Sequence, residues 1–364
     1  MKILFLTLSK FSQFPTYKRA VGMGEALAKM GHDVRIVCLD FEENQSRMSL
    51  EAPHCEPIWI KAGSLWKEVV GKLSAVWSVK PDFVYSPSYS LRNLAFLRWM
   101  FPRRVKLIIE FCELYSNFAR KLSCWRMKEY LALSEADYLV CASHYLKKEF
   151  SRRIQGRRLK LPVLYLPYAY PEYLKSKGNV QNCPQRVLFM AALWRNYGIY
   201  EVLSATETLL QRGRNIVLDV LGSGPEKLSV IQWVKEHCLD ERIHIHGYVD
   251  ESRLDEYFSE ASVFVSPMQD TIQDWARCPS KLFYYLPYNK PIVTCQIGDP
   301  YCTLGSLGFY YYPSNVEEMA NAIESALLAA PTFSYPPGFV EKHSWAARAK
   351  EIMDWLQKGA VNVD

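Results

Sequence analysis

The sequence has no long hydrophobic run. Of its 364 residues 49% are hydrophobic, yet no apolar stretch approaches the roughly 20 residues that a membrane-spanning helix needs. The apolar start, Met1–Leu8, is short and is followed by the polar residues Ser9, Lys10, Ser12 and Gln13, which favours a buried first strand over a signal peptide. We therefore expect no membrane span.

Closely spaced cysteines and metal ligands are also lacking. The ten cysteines never form a C-x-x-C pair, and Cys38, Cys141 and Cys295 lie in strand-like runs, so they are expected to be buried thiols in a reducing cytosol. His244 and His246 would share one face of a strand, but no carboxylate or cysteine pattern completes a site. With no D-x-D motif either, the sequence predicts no bound metal and no cofactor.

Acidic residues are scarce in the first half. Residues 1–177 contain 29 Lys and Arg against 16 Asp and Glu, whereas the remainder has 15 against 22, which indicates an anionic partner for the first half. Cations cluster with apolar residues at 98–104 and 147–160, a pattern that predicts docking on an anionic membrane surface. The residues expected there are Arg103, Arg104, Lys147, Lys148, Arg152, Arg153, Arg157 and Arg158. A solvated basic face is the alternative; no recognised nucleic-acid-binding module is present.

What the sequence does contain is an alternation of apolar strands and amphipathic helices, which restarts in the second half. The helices expected in the first half are Tyr17–Met30, Trp66–Val79, Leu91–Met100, Ser116–Arg126 and His144–Ile154. Alternating strands and helices favour an α/β fold of two doubly wound, Rossmann-like domains that face a cleft. The expected boundaries are a first domain at 1–175, a polar linker at 176–184, a second domain at 185–344, and a final helix at 345–364 that packs toward the first domain.

One stretch of the second half, Val263–Cys295, combines two buried strands with a short helix between them. Pro279 suits the first helical position. Because a helix N-terminus already carries a partial positive charge, the nearby cations Arg277 and Lys281 indicate an anionic ligand, most simply a phosphate or diphosphate. Lys281 and Tyr284 share a helix face; a solvated lysine and a core tyrosine are the alternative.

Four segments of the second half, and a trailing fifth, carry a family resemblance. They are residues 187–205, 218–228, 243–267, 279–293 and 308–323, which include the turns LWRNYG, GSGP and GYV and the run PSKLFYYL. They resemble the GT-B-fold, nucleotide-sugar-dependent glycosyltransferases of group 1, a family that includes bacterial lipopolysaccharide and capsule enzymes. The first half matches more loosely, through GEALAKMGHDVRIV and EADYLVCASHYLKKEF. The resemblance implies a UDP-linked sugar bound in the second domain by Arg195, Gly222, Gly224, Tyr248, Val249, Arg277, Lys281, Leu282 and Tyr284.

The sequence departs from the retaining branch of this family. The two glutamates that this branch places eight residues apart are Ala276 and Tyr284 here, and its lysine in the first donor loop is Tyr197, which leaves Arg195 as the nearest cation. A closer local similarity is to the inverting, xanthan-type glucuronosyltransferases. That similarity rests on KLIIEFCELYS and implies that Glu113 is the general base, with Glu110 as the competitor. Alternatively, Glu113 caps the helix that follows it.

The function implied is sugar transfer from a nucleotide donor to a glycan or lipid-linked acceptor in surface polysaccharide or glycoconjugate synthesis, without a metal ion. The enzyme would be cytoplasmic, on the inner face of the membrane. Two other functions remain open: a nucleotide-sugar-binding protein without transferase activity, and a sugar-nucleotide epimerase on the same fold.

Overall fold

A computed structural model describes residues 1–8, 10, 15–48, 50–118, 123–172, 174 and 185–361. The chain divides into two compact units. The first comprises Met1–Ala169, Ala276–Cys278 and His343–Asp364, and the second comprises Tyr170–Trp275 and Pro279–Lys342. The linker predicted at 176–184 lies outside the described residues.

The first unit is built on a parallel sheet of seven strands. Its elements in chain order are β1 (Lys2–Leu6), α1 (Pro15–Lys29), β2 (Asp33–Leu39), α2 (Glu42–Arg47), β3 (Cys55–Ile60), α3 (Leu65–Val79), β4 (Phe83–Ser86), β5 (Lys106–Phe111), α4 (Tyr115–Phe118), α5 (Ser123–Glu135), β6 (Tyr138–Cys141), α6 (His144–Gly156) and β7 (Val163–Tyr165). The strands are ordered β3-β2-β1-β4-β5-β6-β7. Strands such as β1 and β5 are largely apolar and almost wholly buried, as expected for a sheet covered by helices on both faces.

The second unit repeats this plan with six parallel strands. Its elements are β8 (Gln185–Met190), α7 (Ile199–Gln211), β9 (Ile216–Leu221), α8 (Lys227–Glu236), β10 (Ile243–Gly247), α9 (Leu254–Glu260), β11 (Val263–Ser266), α10 (Ile272–Ala276), α11 (Ser280–Tyr285), β12 (Ile292–Cys295), α12 (Gly298–Leu304), β13 (Phe309–Tyr311) and α13 (Val316–Ala329). The order is β10-β9-β8-β11-β12-β13. The strand order therefore reverses between β8 and β11, and the carboxyl ends of strands at such a point are where open α/β sheets bind ligands.

The last helix, α14 (Trp345–Val361), belongs to the first unit and packs on α1. A Cβ atom at Gly22 of α1 would lie 2.3 Å from Nε1 of Trp345, so only glycine admits the indole ring at this point. Trp345 is itself buried. Gly22 thus serves helix packing.

The helix predicted at Leu91–Met100 is wrong. The structure has two short 3-10 turns, Leu91–Asn93 and Arg98–Met100. Between them Leu94 and Phe96 have φ angles of 64° and 66°, a left-handed conformation that a right-handed helix cannot contain. The helix predicted at Ser116–Arg126 corresponds to α4 and the beginning of α5, and residues 119–122 lie outside the described part.

Candidate functional site

Two glycines hold the loops of the second unit together at the carboxyl edge of its sheet. A Cβ atom at Gly222 would lie 1.8 Å from the carbonyl oxygen of Ala191, and one at Gly224 would lie 2.5 Å from that of Leu193. The two loops also exchange backbone hydrogen bonds: Leu193 N donates to Ser223 O at 3.0 Å. The close approach that these glycines permit is therefore between two protein loops. Their role in donor binding stays a prediction.

Arg195 and Tyr248 are exposed on the loops at this edge. Arg195 lies on a 3-10 turn after β8, with its guanidinium carbon 5.8 Å from the centroid of the Tyr200 ring. Tyr248 and Val249 follow β10, where Gly247 has a φ angle of 75° and its carbonyl accepts a bond from Gly222 N at 2.7 Å. A cation and an aromatic ring are thus presented beside the strand ends.

Helix α11 contributes one accessible cation and two core residues. Lys281 is half-buried, with Nζ 5.2 Å from the centroid of the Phe189 ring. Leu282 is fully buried, and the buried Tyr284 donates from its hydroxyl to Oε1 of Glu251 at 3.0 Å. Pro279 is the N-cap of this helix, one residue before the predicted position. Among the three residues predicted on α11, only the side chain of Lys281 is accessible for contact with an anion.

Arg277 belongs to the first unit, whereas the other predicted donor-binding residues belong to the second. Both its neighbours are bonded within the first unit: Ser143 Oγ donates to Ala276 O at 2.7 Å, and Tyr168 N donates to Cys278 Sγ at 3.5 Å. Ala276 itself is buried in the hydrophobic core of that unit. This placement could not be predicted, because a local sequence pattern does not show which unit a loop joins.

Glu110, the second candidate base, is enclosed by structural partners. It is fully buried at the end of β5, its Oε1 lies 2.7 Å from Nε of Arg19, and its Oε2 accepts a hydrogen bond from Tyr85 at 2.9 Å. Burial raises the pKa of Glu110, and the charge of Arg19 opposes that rise. The carboxylate therefore anchors α1 to the sheet. Sequence reasoning missed Arg19 and Tyr85, since neither belongs to a motif.

Glu113 lies in the loop after β5 and is half-buried. Burial raises the pKa of its carboxyl, and the nearby positive charge of Arg277 opposes the increase. The amide of Ser116, in the first turn of α4, donates to Oε1 of Glu129 at 2.8 Å. Glu129 thus accepts the hydrogen bond at the start of α4, which weakens the alternative that Glu113 caps this helix.

The prediction that no carboxylate joins His244 and His246 is wrong. Oδ1 of Asp219, on the neighbouring strand β9, lies 2.7 Å from Nε2 of His246 and 3.7 Å from Nδ1 of His244. However, Arg186 donates from Nε to Oδ2 of Asp219 at 2.8 Å and from Nη2 to Oδ1 at 3.0 Å. Because the carboxylate is already paired with a cation, the group forms a His–Asp–Arg network. The sequence does contain a signal for this carboxylate, because Asp219 is a charged residue within the apolar strand IVLDVL.

One of the eight residues predicted to bind a membrane surface is buried, and seven are exposed. Arg153 is buried and forms ion pairs with Glu129 at 2.6 Å and Glu149 at 2.7 Å, so its assignment to the surface is wrong. Arg103, Arg104, Lys147, Lys148, Arg152, Arg157 and Arg158 are exposed. Of the apolar residues interleaved with them, Trp99 is exposed as expected and Tyr145 is half-buried. The other three, Phe101, Phe150 and Ile154, are buried in the core.

Comparisons with known proteins agree with this architecture. Residues 18–167 match the glycosyl transferase 4-like domain, and residues 184–328 match the model of glycosyl transferases group 1. A comparison with curated proteins gives no match. The fold is similar to that of sucrose-phosphate synthase from Thermosynechococcus elongatus, with 15% identity over 99% of both chains and a TM-score of 0.75.

Two further similar structures contain nucleotide and sugar. Anabaena HepE, in complex with UDP and glucose, is 15% identical over 98% of this chain and 100% of its own, with a TM-score of 0.72. The pneumococcal O-GlcNAc transferase GtfA, in complex with UDP and GlcNAc, is 9% identical over 100% of this chain and 99% of its own, with a TM-score of 0.73.

Two parallel-sheet α/β units with these strand orders define the GT-B class of enzymes. Within it, the chain belongs to the glycosyl transferases group 1 and is a nucleotide-sugar glycosyltransferase. No helix in the described part of the chain has the length and apolar character to cross a bilayer.

Proposed function

We propose that the enzyme transfers a sugar from a UDP-linked donor to an acceptor hydroxyl with inversion, and that Glu113 is the general base. The observation that carries this assignment is the contrast between the two glutamates. Glu110 is enclosed by Arg19 and Tyr85, whereas Glu113 is partly accessible at the carboxyl edge of the sheet. A partly buried carboxylate with a raised pKa suits proton acceptance near neutral pH.

The chemistry needs one carboxylate. Glu113 accepts the proton of the acceptor hydroxyl as that oxygen forms a bond to the anomeric carbon. The bond from this carbon to the diphosphate breaks on the opposite face, and the electron pair leaves with UDP. The positions of the retaining pair offer no second carboxylate, because Ala276 is a buried alanine and Tyr284 is a tyrosine bonded to Glu251.

The donor would be bound by the second unit. Arg195 and Lys281 supply positive charge for the diphosphate, and the exposed Tyr248 is proposed to contact the nucleobase. The UDP complexes of HepE and GtfA, which share the fold, support the choice of nucleotide. We propose that fixed cations replace a metal ion at the leaving group, so that transfer proceeds without a divalent cation.

The acceptor would be a glycan or lipid-linked molecule at the inner membrane face, in the synthesis of a surface polysaccharide or glycoconjugate. The support is the excess of Lys and Arg in residues 1–177, 29 against 16 acidic residues. Such an excess favours association with an anionic surface.

A nucleotide-sugar-binding protein without transfer activity is the second candidate, favoured by the absence of carboxylates at positions 276 and 284. Incubation with UDP-glucose, UDP-galactose, UDP-GlcNAc and UDP-glucuronic acid in excess EDTA separates the two. Release of UDP supports the transferase; donor binding with no turnover, in EDTA or with added Mg²⁺, supports the second candidate. Release of UDP only with Mg²⁺ would contradict metal independence alone. Recovery of an epimerised UDP-sugar would favour the epimerase.

A further inference from the structure

An apolar strip lies exposed along helix α3 of the first unit. Trp66, Val70 and Trp77 are 64%, 63% and 53% exposed. At 3.6 residues per turn the three positions fall within about 40° around the helix axis. Val69 and Val76, which lie about 80–100° away around the helix axis, are buried in the core. The helix is therefore apolar on two faces, and only one of them is covered by its own unit.

A fourth exposed residue extends this strip. Trp99 is 79% exposed and lies on the 3-10 turn Arg98–Met100. Trp77 Nε1 donates to Met100 O at 3.1 Å, which places this turn at the C-terminal end of α3. We call Trp66, Val70, Trp77 and Trp99 the tryptophan ridge.

Cations lie beside the tryptophan ridge, and α3 presents no exposed carboxylate in its described length. Lys67 is exposed next to Trp66, and Lys80 is exposed at the C-cap of α3. Arg104 Nη2 donates to Lys80 O at 3.1 Å, which brings this exposed arginine, and Arg103 before it, to the same end. The one acidic residue of α3, Glu68, is buried and is bonded to Arg92.

We propose that the tryptophan ridge docks the enzyme on an anionic phospholipid surface. Tryptophan suits the headgroup region because its ring is apolar and its N–H is polar, and the neighbouring cations attract anionic lipid. Pairing with a second copy fits less well, because a two-fold contact would bring the same cations together. This surface lies on α3, away from α6, where the sequence placed half of the predicted contacts.

The orientation of α3 also suits a lipid-linked acceptor. In a parallel sheet all carboxyl ends lie at one edge, and α3 begins just after the carboxyl end of β3. Glu113 follows the carboxyl end of β5 in the same sheet. The ridge thus starts, at Trp66, on the edge that carries the proposed base. This part of the inference rests on the proposed function; the docking itself does not.

Co-sedimentation with vesicles of phosphatidylglycerol and phosphatidylcholine tests the docking. We compare the wild type with the triple variant Trp66→Ser, Trp77→Ser, Trp99→Ser. The matched control is Leu228→Ser with Tyr312→Ser, which removes residues 78% and 64% exposed on the second unit. Since interfacial affinity depends on buried apolar area, the triple variant should lose about tenfold or more in partitioning. The control should bind like the wild type. Brominated lipid should quench the tryptophan fluorescence of wild type more strongly than that of the triple variant.

Several results would overturn the proposal. The first is equal vesicle binding by the triple variant and the wild type. The second is equal binding of the wild type to neutral and to anionic vesicles. The third is loss of binding in the variant Arg157→Ser with Arg158→Ser while the triple variant binds normally. A wild-type dimer that the triple variant converts to a monomer would assign the ridge to self-association. UDP affinity and release of UDP from UDP-sugars, measured without vesicles, report on the proposed function separately. If they persist while vesicle binding is absent, the docking proposal alone fails.

Discussion

Two glutamates three residues apart have different environments and should respond differently to mutation. Glu110 is fully buried against Arg19, and Glu113 is half-buried near Arg277. Replacement of Glu110 by Gln leaves the buried guanidinium of Arg19 without its carboxylate, a change that typically costs about 3–5 kcal/mol. We expect Glu110→Gln to lower the midpoint of thermal unfolding markedly.

Glu113→Gln should instead remove activity and preserve the fold. The amide keeps the shape of the side chain but cannot accept the proton, so turnover should fall by roughly 10²–10⁴ while UDP affinity persists. Initial rates of UDP release and UDP titration calorimetry provide the two measurements. If Glu113→Gln turns over normally and a folded Glu110→Gln does not, the base is Glu110.

Arg277 should set the pH at which Glu113 becomes active. Glu113 must be ionised to accept a proton; burial raises its pKa, and the charge of Arg277 opposes this rise. Arg277→Gln removes the opposing charge, so the acid limb of kcat/KM should move to higher pH, whereas Arg277→Lys should move it less. If the acid limb of kcat/KM is unchanged and UDP binds more weakly, Arg277 has the donor-binding role predicted from the sequence.

The cations of the second unit should affect donor binding. Arg195→Ala and Lys281→Ala each remove a charge-assisted contact worth about 1.5–3 kcal/mol, so the affinity for UDP should fall roughly tenfold or more. Lys235→Ala, which removes an exposed lysine from α8, is the control and should leave affinity unchanged. If neither Arg195→Ala nor Lys281→Ala differs from this control, the donor site lies elsewhere.

At the scale of elements, the close contact between the loops after β8 and β9 predicts different stability costs for two glycine substitutions. Gly213 and Gly222 both have positive φ angles, of 78° and 147°, but only a Cβ atom at Gly222 would meet backbone. Gly213→Ala should cost about 1–2 kcal/mol from conformation alone. Gly222→Ala should cost roughly 1–3 kcal/mol more, because the loops must separate. Urea denaturation measures both; equal losses would show that the loops adapt freely.

Most strands and helices could be predicted from the sequence because their signals are local. The apolar run at 263–266 and the amphipathic pattern of α7 depend on neighbouring residues alone. The failure at Leu91–Met100 has a different origin. Leu94 and Phe96 adopt the left-handed conformation although neither is a glycine, so the sequence does not mark the turn. Leu94 is buried, and its core contacts stabilise this conformation.

The candidate site was less predictable, since its pairs join residues distant in sequence. Arg19 and Glu110 are 91 positions apart by their numbering, and Asp219 meets His246 only because β9 and β10 are adjacent. The motif positions Gly222, Lys281 and Tyr284 were identifiable, but their contacts were not. Tyr284 bonds to Glu251, and the glycines let two loops approach each other closely; neither contact follows from spacing alone.

At the scale of the whole molecule, we propose that the first unit supplies one base and that the second unit supplies cations for a UDP leaving group. The proposed mechanism uses no metal ion and only one catalytic carboxylate. The consequence that follows most directly is stereochemical. Attack opposite the departing diphosphate must invert the anomeric carbon.

The most direct measurement is therefore the configuration of the product. Proton NMR during consumption of a UDP-α-sugar in excess EDTA, with water or an added glycan as acceptor, shows which anomer forms first, before mutarotation. We expect the β-anomer, formed by wild type and not by Glu113→Gln. Initial formation of the α-anomer would contradict the single-base mechanism.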